Sequence, residues 1–153
     1  MNRRYRQMKG YEGLLPNKEE RLLCLRNNKK LNLTNGLQGV MTEEYEDDGE
    51  YLMIKFRPED SKAAVWIKIH KAHFQSYNDP QILKDLSYWD LQKANEFDFG
   101  YVITGHKSQG SQWDDVMIYN DGFGFSDKLL KKRWLYTVIT RAVERLTLIQ
   151  AEG

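Results

Sequence analysis

Tyr101-Val102-Ile103-Thr104-Gly105-His106-Lys107-Ser108-Gln109-Gly110-Ser111-Gln112-Trp113-Asp114 begins apolar and turns polar within a few residues. Gly100-Tyr101-Val102-Ile103 reads as a short strand, so the polar segment starts at a strand's carboxyl end, where α/β sheets bind ligands. Thr104, His106, Lys107, Ser108 and Gln109 crowd hydrogen-bonding groups together, and Gly105 and Gly110 let backbone approach a ligand closely. That chemistry suits the phosphate oxygens of a nucleotide or of a nucleic-acid backbone. A plain polar surface loop is the competing reading. Downstream, Val116-Met117-Ile118-Tyr119 and Leu146-Thr147-Leu148-Ile149 are nearly continuous apolar runs. Between them, Asp127–Val143 carries Leu130, Trp134, Leu135, Val138, Ile139 and Ala142 at helical spacing. Strand, helix, strand with apolar strands is the pattern of a parallel sheet covered by helices.

Near the end of that helix stands Arg133-Trp134-Leu135-Tyr136-Thr137-Val138-Ile139-Thr140-Arg141-Ala142. The planar fork of Arg141 fits bidentate phosphate binding, which lysine cannot imitate. The same arginine also fits a purely structural task, complementing the negative end of the helix dipole. Lys128, Lys131, Lys132 and Arg133 form a basic cluster at the helix start, read as a solvated face or a DNA-backbone contact.

Upstream the rhythm is different. Leu22-Leu23-Cys24-Leu25 predicts a buried strand, Asn35-Gly36 a tight turn, and Leu37–Thr42 a second strand. Glu43–Asp48 with Gly49 reads as an exposed loop. Leu52, Ile54 and Phe56 alternate on one strand, and Val65, Ile67 and Ile69 on another. Short strands joined by short turns predict a small antiparallel barrel closing near Phe74. Asp79 and Pro80 then suit a helix start, with Ile82, Leu86, Trp89 and Lys93 along one stripe. The first residues, with Arg3, Arg4, Arg6 and Lys9, form either a helix face or a solvated tail.

Composition narrows the classes. The 153 residues are 41% hydrophobic and 29% charged, a globular mixture. Lys+Arg number 23 against 22 Asp+Glu, so any nucleic-acid contact depends on local placement of charge. One cysteine, Cys24, excludes an internal disulfide and a multi-cysteine metal site, and points to a reducing, cytoplasmic setting. No apolar run has membrane-spanning length, so no membrane partner is expected. His70 and His73 lack the cysteines or carboxylate cluster of a zinc site, and no metal ligands are expected.

The 101–114 segment resembles motif V of superfamily 1 DNA helicases, and Leu135-Tyr136-Thr137-Val138-Ile139-Thr140-Arg141-Ala142-Val143-Glu144-Arg145-Leu146 resembles their motif VI. The wording His106-Lys107-Ser108-Gln109-Gly110-Ser111 is similar to the RecD-like and Dda-like branch, as are Leu25-Arg26-Asn27-Asn28 and Thr34-Asn35-Gly36-Leu37-Gln38-Gly39-Val40. The resemblance implies an α/β fold: a partial RecA-like, P-loop NTPase-type parallel sheet with an inserted small antiparallel β-barrel of the Src-homology type. It implies a helix leading out of the RecA-like domain over 1–15, the barrel over 16–77, and the second RecA-like domain with motifs V and VI over 78–153. It assigns Arg141 as the catalytic arginine finger on the γ-phosphate of ATP. Gly110, Ser111 and Gln112 face the nucleotide, although many relatives carry Glu where Gln112 stands. The resemblance implies that Thr104 and His106, with Lys107 and Gln109, hold single-stranded DNA.

No G-x-x-x-x-G-K-[ST] occurs in the chain. ATP and Mg²⁺ are therefore expected only with a first, N-terminal RecA-like domain, and the chain reads as a C-terminal helicase fragment, inactive alone. The expected partners are single-stranded DNA, that first domain, and a nuclease or replication protein. The alternative is a stand-alone nucleic-acid-binding or protein-interaction module without motor activity.

Overall fold

The computed structural model describes residues 1–120 and 127–150. The chain forms two compact units, Met1–Val102 and Ile103–Gly153.

The first unit opens with helix α1 (Asn2–Met8). Strand β1 (Arg21–Cys24) follows, then a 3₁₀ turn over Lys29–Leu31, β2 (Gln38–Met41), β3 (Glu46–Asp48), β4 (Tyr51–Pro58) and β5 (Val65–His70). Three short helices, α2 (Ala72–Gln75), α3 (Gln81–Asp85) and α4 (Tyr88–Leu91), lead to β6 (Phe97–Phe99). All strand pairs of this sheet are antiparallel, in the order β3-β4-β2-β1-β6, with β5 also on β4. Asn95, just ahead of β6, bridges in parallel to Ile69 of β5. The Asn95 carbonyl accepts from the His70 N–H at 3.0 Å, and its own N–H donates to the Lys68 carbonyl at 2.9 Å. The pairings thus run in a ring.

Period-two alternation fills that ring. Leu52, Ile54 and Phe56 are fully buried beside Ile67 and Ile69, joined by Leu22, Cys24, Met41, Phe97 and Phe99. Phe56 meets Phe97 edge-on with ring centroids 5.0 Å apart, and Phe74 meets Phe99 at 4.9 Å. Gly39 is required on β2 because a Cβ there would strike the Arg57 carbonyl and the Phe56 ring. A buried ion pair ties α1 to the chain just ahead of β1. Arg6 donates from Nε and Nη2 to the two Glu20 carboxylate oxygens, both at 2.6 Å. Asn2 holds the other end: its Oδ1 accepts from the Val102 N–H at 2.6 Å, and its Nδ2 donates to the Phe99 and Val102 carbonyls at 3.1 Å.

Three expectations need correction here. Gly100–Ile103 is not a strand; the strand is Phe97–Phe99, and the backbone after it bonds to the Asn2 side chain instead. The stripe from Ile82 to Lys93 is not one helix: Leu86 is extended at ψ 124°, and Ser87 with Asp90 forms a capping box that starts a new turn. Within the expected loop Glu43–Asp48, Glu46–Asp48 pairs with β4 while all three side chains remain exposed.

The second unit contains β7 (Trp113–Asn120), helix α5 (Lys128–Ile139) and β8 (Ala142–Gln150). Strands β7 and β8 pair in parallel, as the apolar runs predicted. The Asp127 side chain caps α5 by accepting from the Leu129 N–H at 2.7 Å. Among the described residues only Ile118 and Val138 are buried hydrophobics in this unit; of the predicted helical stripe, Leu130 is exposed and Trp134, Leu135, Ile139 and Ala142 are half-buried. No described helix is long and apolar enough to cross a membrane.

Candidate functional site

Within the second unit, residues 104–112 ahead of β7 form a compact run of turns. The Ser108 N–H donates to the Thr104 carbonyl at 3.2 Å, the Ser108 hydroxyl to the Gly105 carbonyl at 2.7 Å, and the Ser111 N–H to the Ser108 carbonyl at 3.2 Å. Ser108 is buried and works as the internal strut of the loop. Gly110 sits at φ +86°, a left-handed conformation that favours glycine, and turns the chain back toward β7. Gly105 has a different task. A Cβ at this position would lie 2.6 Å from both Trp134 Nε1 and Val138 Cγ1, so the loop rests directly on α5.

These turns leave Thr104, His106 and Gln109 exposed and Lys107 half-buried. The four predicted DNA-binding side chains therefore share one accessible loop. The Thr104 hydroxyl accepts from the Lys107 N–H at 3.4 Å and remains able to donate.

Arg141 follows the C-cap residue Thr140, in the turn between α5 and β8. Its Nε donates to the Thr137 carbonyl at 2.9 Å, Nη2 to the Thr140 hydroxyl at 3.1 Å, and Nη1 to the Ser111 carbonyl at 3.2 Å. Two segments thirty residues apart in sequence thus meet at one guanidinium. The Trp113 N–H donates to the Arg141 carbonyl at 2.9 Å, and Gln112 Nε2 lies 3.5 Å from the Thr140 carbonyl. Ser111, Gln112 and the 140–141 turn thus lie together, with Gly110 next to Ser111 in the chain. Arg141 also satisfies carbonyls at its helix end, so both sequence readings of this arginine have a geometric basis. A guanidinium has five N–H donors, and three are engaged within the chain, which leaves donors for phosphate oxygens.

An open groove of ≈ 190 Å³ runs between this loop and α5, bordered by His106, Gln109, Leu130, Arg133, Trp134 and Thr137. The sequence reading puts Trp134 on the apolar stripe of the helix and leaves Arg133 as either a solvated face or a DNA-backbone contact. The available signal was the spacing of 130, 133, 134 and 137, which puts all four on one helix face. Among the described residues no group of three or more His, Cys, Asp or Glu side chains is placed to hold a metal ion.

Residues 99–149 match the UvrD-like helicase C-terminal domain, about a third of the chain. Uncharacterized protein MJ1519 of Methanocaldococcus jannaschii is 45% identical over 58 residues, 37% of this chain and 5% of that protein. Among solved structures, a Pif1 helicase from work titled "Structural Basis for DNA Unwinding at Forked dsDNA by two coordinating Pif1 helicases" shares the fold with a TM-score of 0.52 and 17% identity over 86% of this chain. A Bacteroides Pif1 helicase solved with ADP-AlF3 and ssDNA gives 0.48 and 16% over 88%. The chain spans 27% and 29% of those two structures and a small fraction of the archaeal protein. Residues 99–149 are thus similar to the C-terminal domain of UvrD-like helicases.

Proposed function

We propose that this chain is the carboxyl-terminal part of an ATP-dependent superfamily 1 DNA helicase of the RecD-like or Dda-like branch. Residues 16–77 of the first unit are its inserted Src-homology-type barrel, a reading supported by the antiparallel pairings of β1 to β5 and the shared interior of Leu52, Ile54 and Phe56. The second unit is the part of a second RecA-like domain that carries motifs V and VI. Its open parallel pair β7–β8 supports that reading, since parallel sheets are ordinarily covered on both faces.

The observation that carries the proposal is the hydrogen bond from Arg141 to Ser111. It joins the arginine matching motif VI to the glycine-containing turn matching the nucleotide side of motif V. On this reading Arg141 would contact the γ-phosphate of ATP and stabilise charge that develops there. Its bonds to Thr137 and Ser111 fix the fork in advance, so little reorganisation is needed in the transition state. Gly110, Ser111 and Gln112 flank the nucleotide. The residues present fit the phosphate end of ATP; Mg²⁺ and the phosphate-cradling lysine belong to a partner RecA-like domain. ATP hydrolysis supplies the free energy for movement along DNA. Thr104, His106, Lys107 and Gln109 hold the single-stranded backbone on the exposed side of the loop.

Binding of a fluorescein-labelled oligothymidylate, followed by anisotropy, tests the DNA half of this reading. The chain should bind weakly, with Kd on the order of 10⁻⁴–10⁻⁶ M and a steep loss of affinity with salt. Thr104→Ala with His106→Ala should weaken it further. Absence of binding at low salt would overturn the assignment.

A further inference from the structure

We propose that the groove between the 104–112 loop and α5 is an additional subsite for single-stranded nucleic acid, with Arg133 and His106 taking a backbone phosphate and Trp134 flanking the adjoining sugar or base. This rests on the reading of the second unit as a DNA-contacting helicase part, and extends it from His106 and Gln109 of the loop to Arg133 and Trp134 of α5.

The groove is built from two walls. Leu130, Arg133, Trp134 and Thr137 share one face of α5, and His106 and Gln109 rise from the loop opposite. Gly105 sets their spacing, because any side chain there would push the loop away from Trp134 and Val138. The Thr137 hydroxyl donates to the Arg133 carbonyl at 2.9 Å, which fixes the backbone of the helical wall and leaves the Arg133 guanidinium unengaged by that bond.

Charge selects the occupant. Among the described residues no acidic side chain lines the groove and Arg133 has no ion-pair partner. The first unit differs: Lys55, Lys68 and Lys71 are matched to Glu43, Asp48 and Asp47. In a chain of net charge +1, the exposed Lys128, Lys131 and Lys132 on the same helix add to a positive region around Arg133. A planar guanidinium matches a phosphate in bidentate fashion, and an indole beside it offers a surface for a base. A polyanion carrying flat rings satisfies both walls together.

The test is anisotropy with the labelled oligothymidylate and the 153-residue chain over a salt series. Arg133→Gln should raise Kd about fivefold or more and lower the salt slope by about 1, the signature of one lost phosphate contact. Trp134→Leu should also weaken binding, by about fivefold or more, while leaving the salt slope unchanged. Arg133 is exposed, so its variant keeps the fold, which an unchanged melting temperature verifies. Lys30→Gln, on an exposed turn of the first unit, should bind as the unsubstituted chain does. If Arg133→Gln binds normally while Thr104→Ala is weakened, the groove proposal is overturned and the helicase reading stands. If the unsubstituted chain fails to bind, both are overturned.

Discussion

At the scale of single residues, the chain combines side chains whose environment explains their protonation and others whose value lies in geometry. His70 is of the first kind. It is buried beside Tyr51, ring centroids 5.2 Å apart, and among the described residues its Nε2 has no hydrogen-bond partner. Burial pushes its pKa down, while the Leu91 carbonyl and Glu96 pull less strongly upward. The folded state therefore prefers neutral His70, and the unfolded chain takes up the proton first as pH falls through about 6.5. Folding stability is lost across the window below that pH. His70→Phe removes this proton uptake, and Arg26 still donates to the Leu91 carbonyl at 2.7 Å. Between pH 7 and pH 5 the melting temperature of the variant should fall less than that of the unsubstituted chain; parallel curves would contradict the assignment. Arg141 is of the second kind. Its residue type was legible in sequence, and so were both of its readings. Its bond to Ser111 was not, because nothing in local spacing says that the 111 turn and the 141 turn coincide in space.

At the scale of elements, two junctions carry more energy than their size suggests. The Arg6–Glu20 pair has side-chain exposures of 3% and 0%, and Glu20 also accepts from the Asn17 N–H at 2.8 Å and the Tyr101 hydroxyl at 3.3 Å. Removing one partner leaves a buried charge uncompensated, so Arg6→Met should destabilise the first unit by about 3–5 kcal/mol. Arg6→Met with Glu20→Leu should recover much of that in urea denaturation, and a double variant no better than the single one would contradict the account. Gly105 is the second junction. Gly105→Ala drives a methyl into Trp134 and Val138, and overpacking of this kind costs about 1–3 kcal/mol. It should lower the melting temperature and weaken oligothymidylate binding together, and unchanged values would show that the loop does not rest on α5. Strands β4 and β5 were legible because period-two alternation puts Leu52, Ile54, Ile67 and Ile69 in one interior. Val65, at the strand's start, is 39% exposed despite the same spacing. The break at Leu86–Ser87 was encoded as Ser87-x-x-Asp90, yet the apolar stripe across it masked the cap. Strand β3 escaped notice because its backbone pairing with β4 buries none of its side chains.

At the scale of the whole molecule, the contrast between the two units is the main physical fact. The first has a closed interior lined by twelve buried residues, Phe56, Phe97 and Phe99 among them, whereas the described part of the second buries only Ile118 and Val138 among its hydrophobics. Sequence periodicity foretold the strands and helix of the second unit but not how much of them would stay exposed, since a helical stripe specifies a face and not the element that covers it. The exposed Met117 and Tyr119 of β7 and Leu146, Leu148 and Ile149 of β8 are the faces that the proposed fuller RecA-like domain would cover, and the sequence carries no P-loop. The chain by itself should accordingly hydrolyse no ATP above background. The most direct measurement of the central claim is kcat for DNA-stimulated ATP hydrolysis by the chain joined to a P-loop RecA-like domain, compared between the unsubstituted protein and Arg141→Ala. The account predicts a fall on the order of 10³ or more in kcat, little change in nucleotide affinity, and almost no rescue by Arg141→Lys. Near-normal kcat in Arg141→Ala, with only a lowered melting temperature, would contradict it and leave Arg141 as the structural end of a helix.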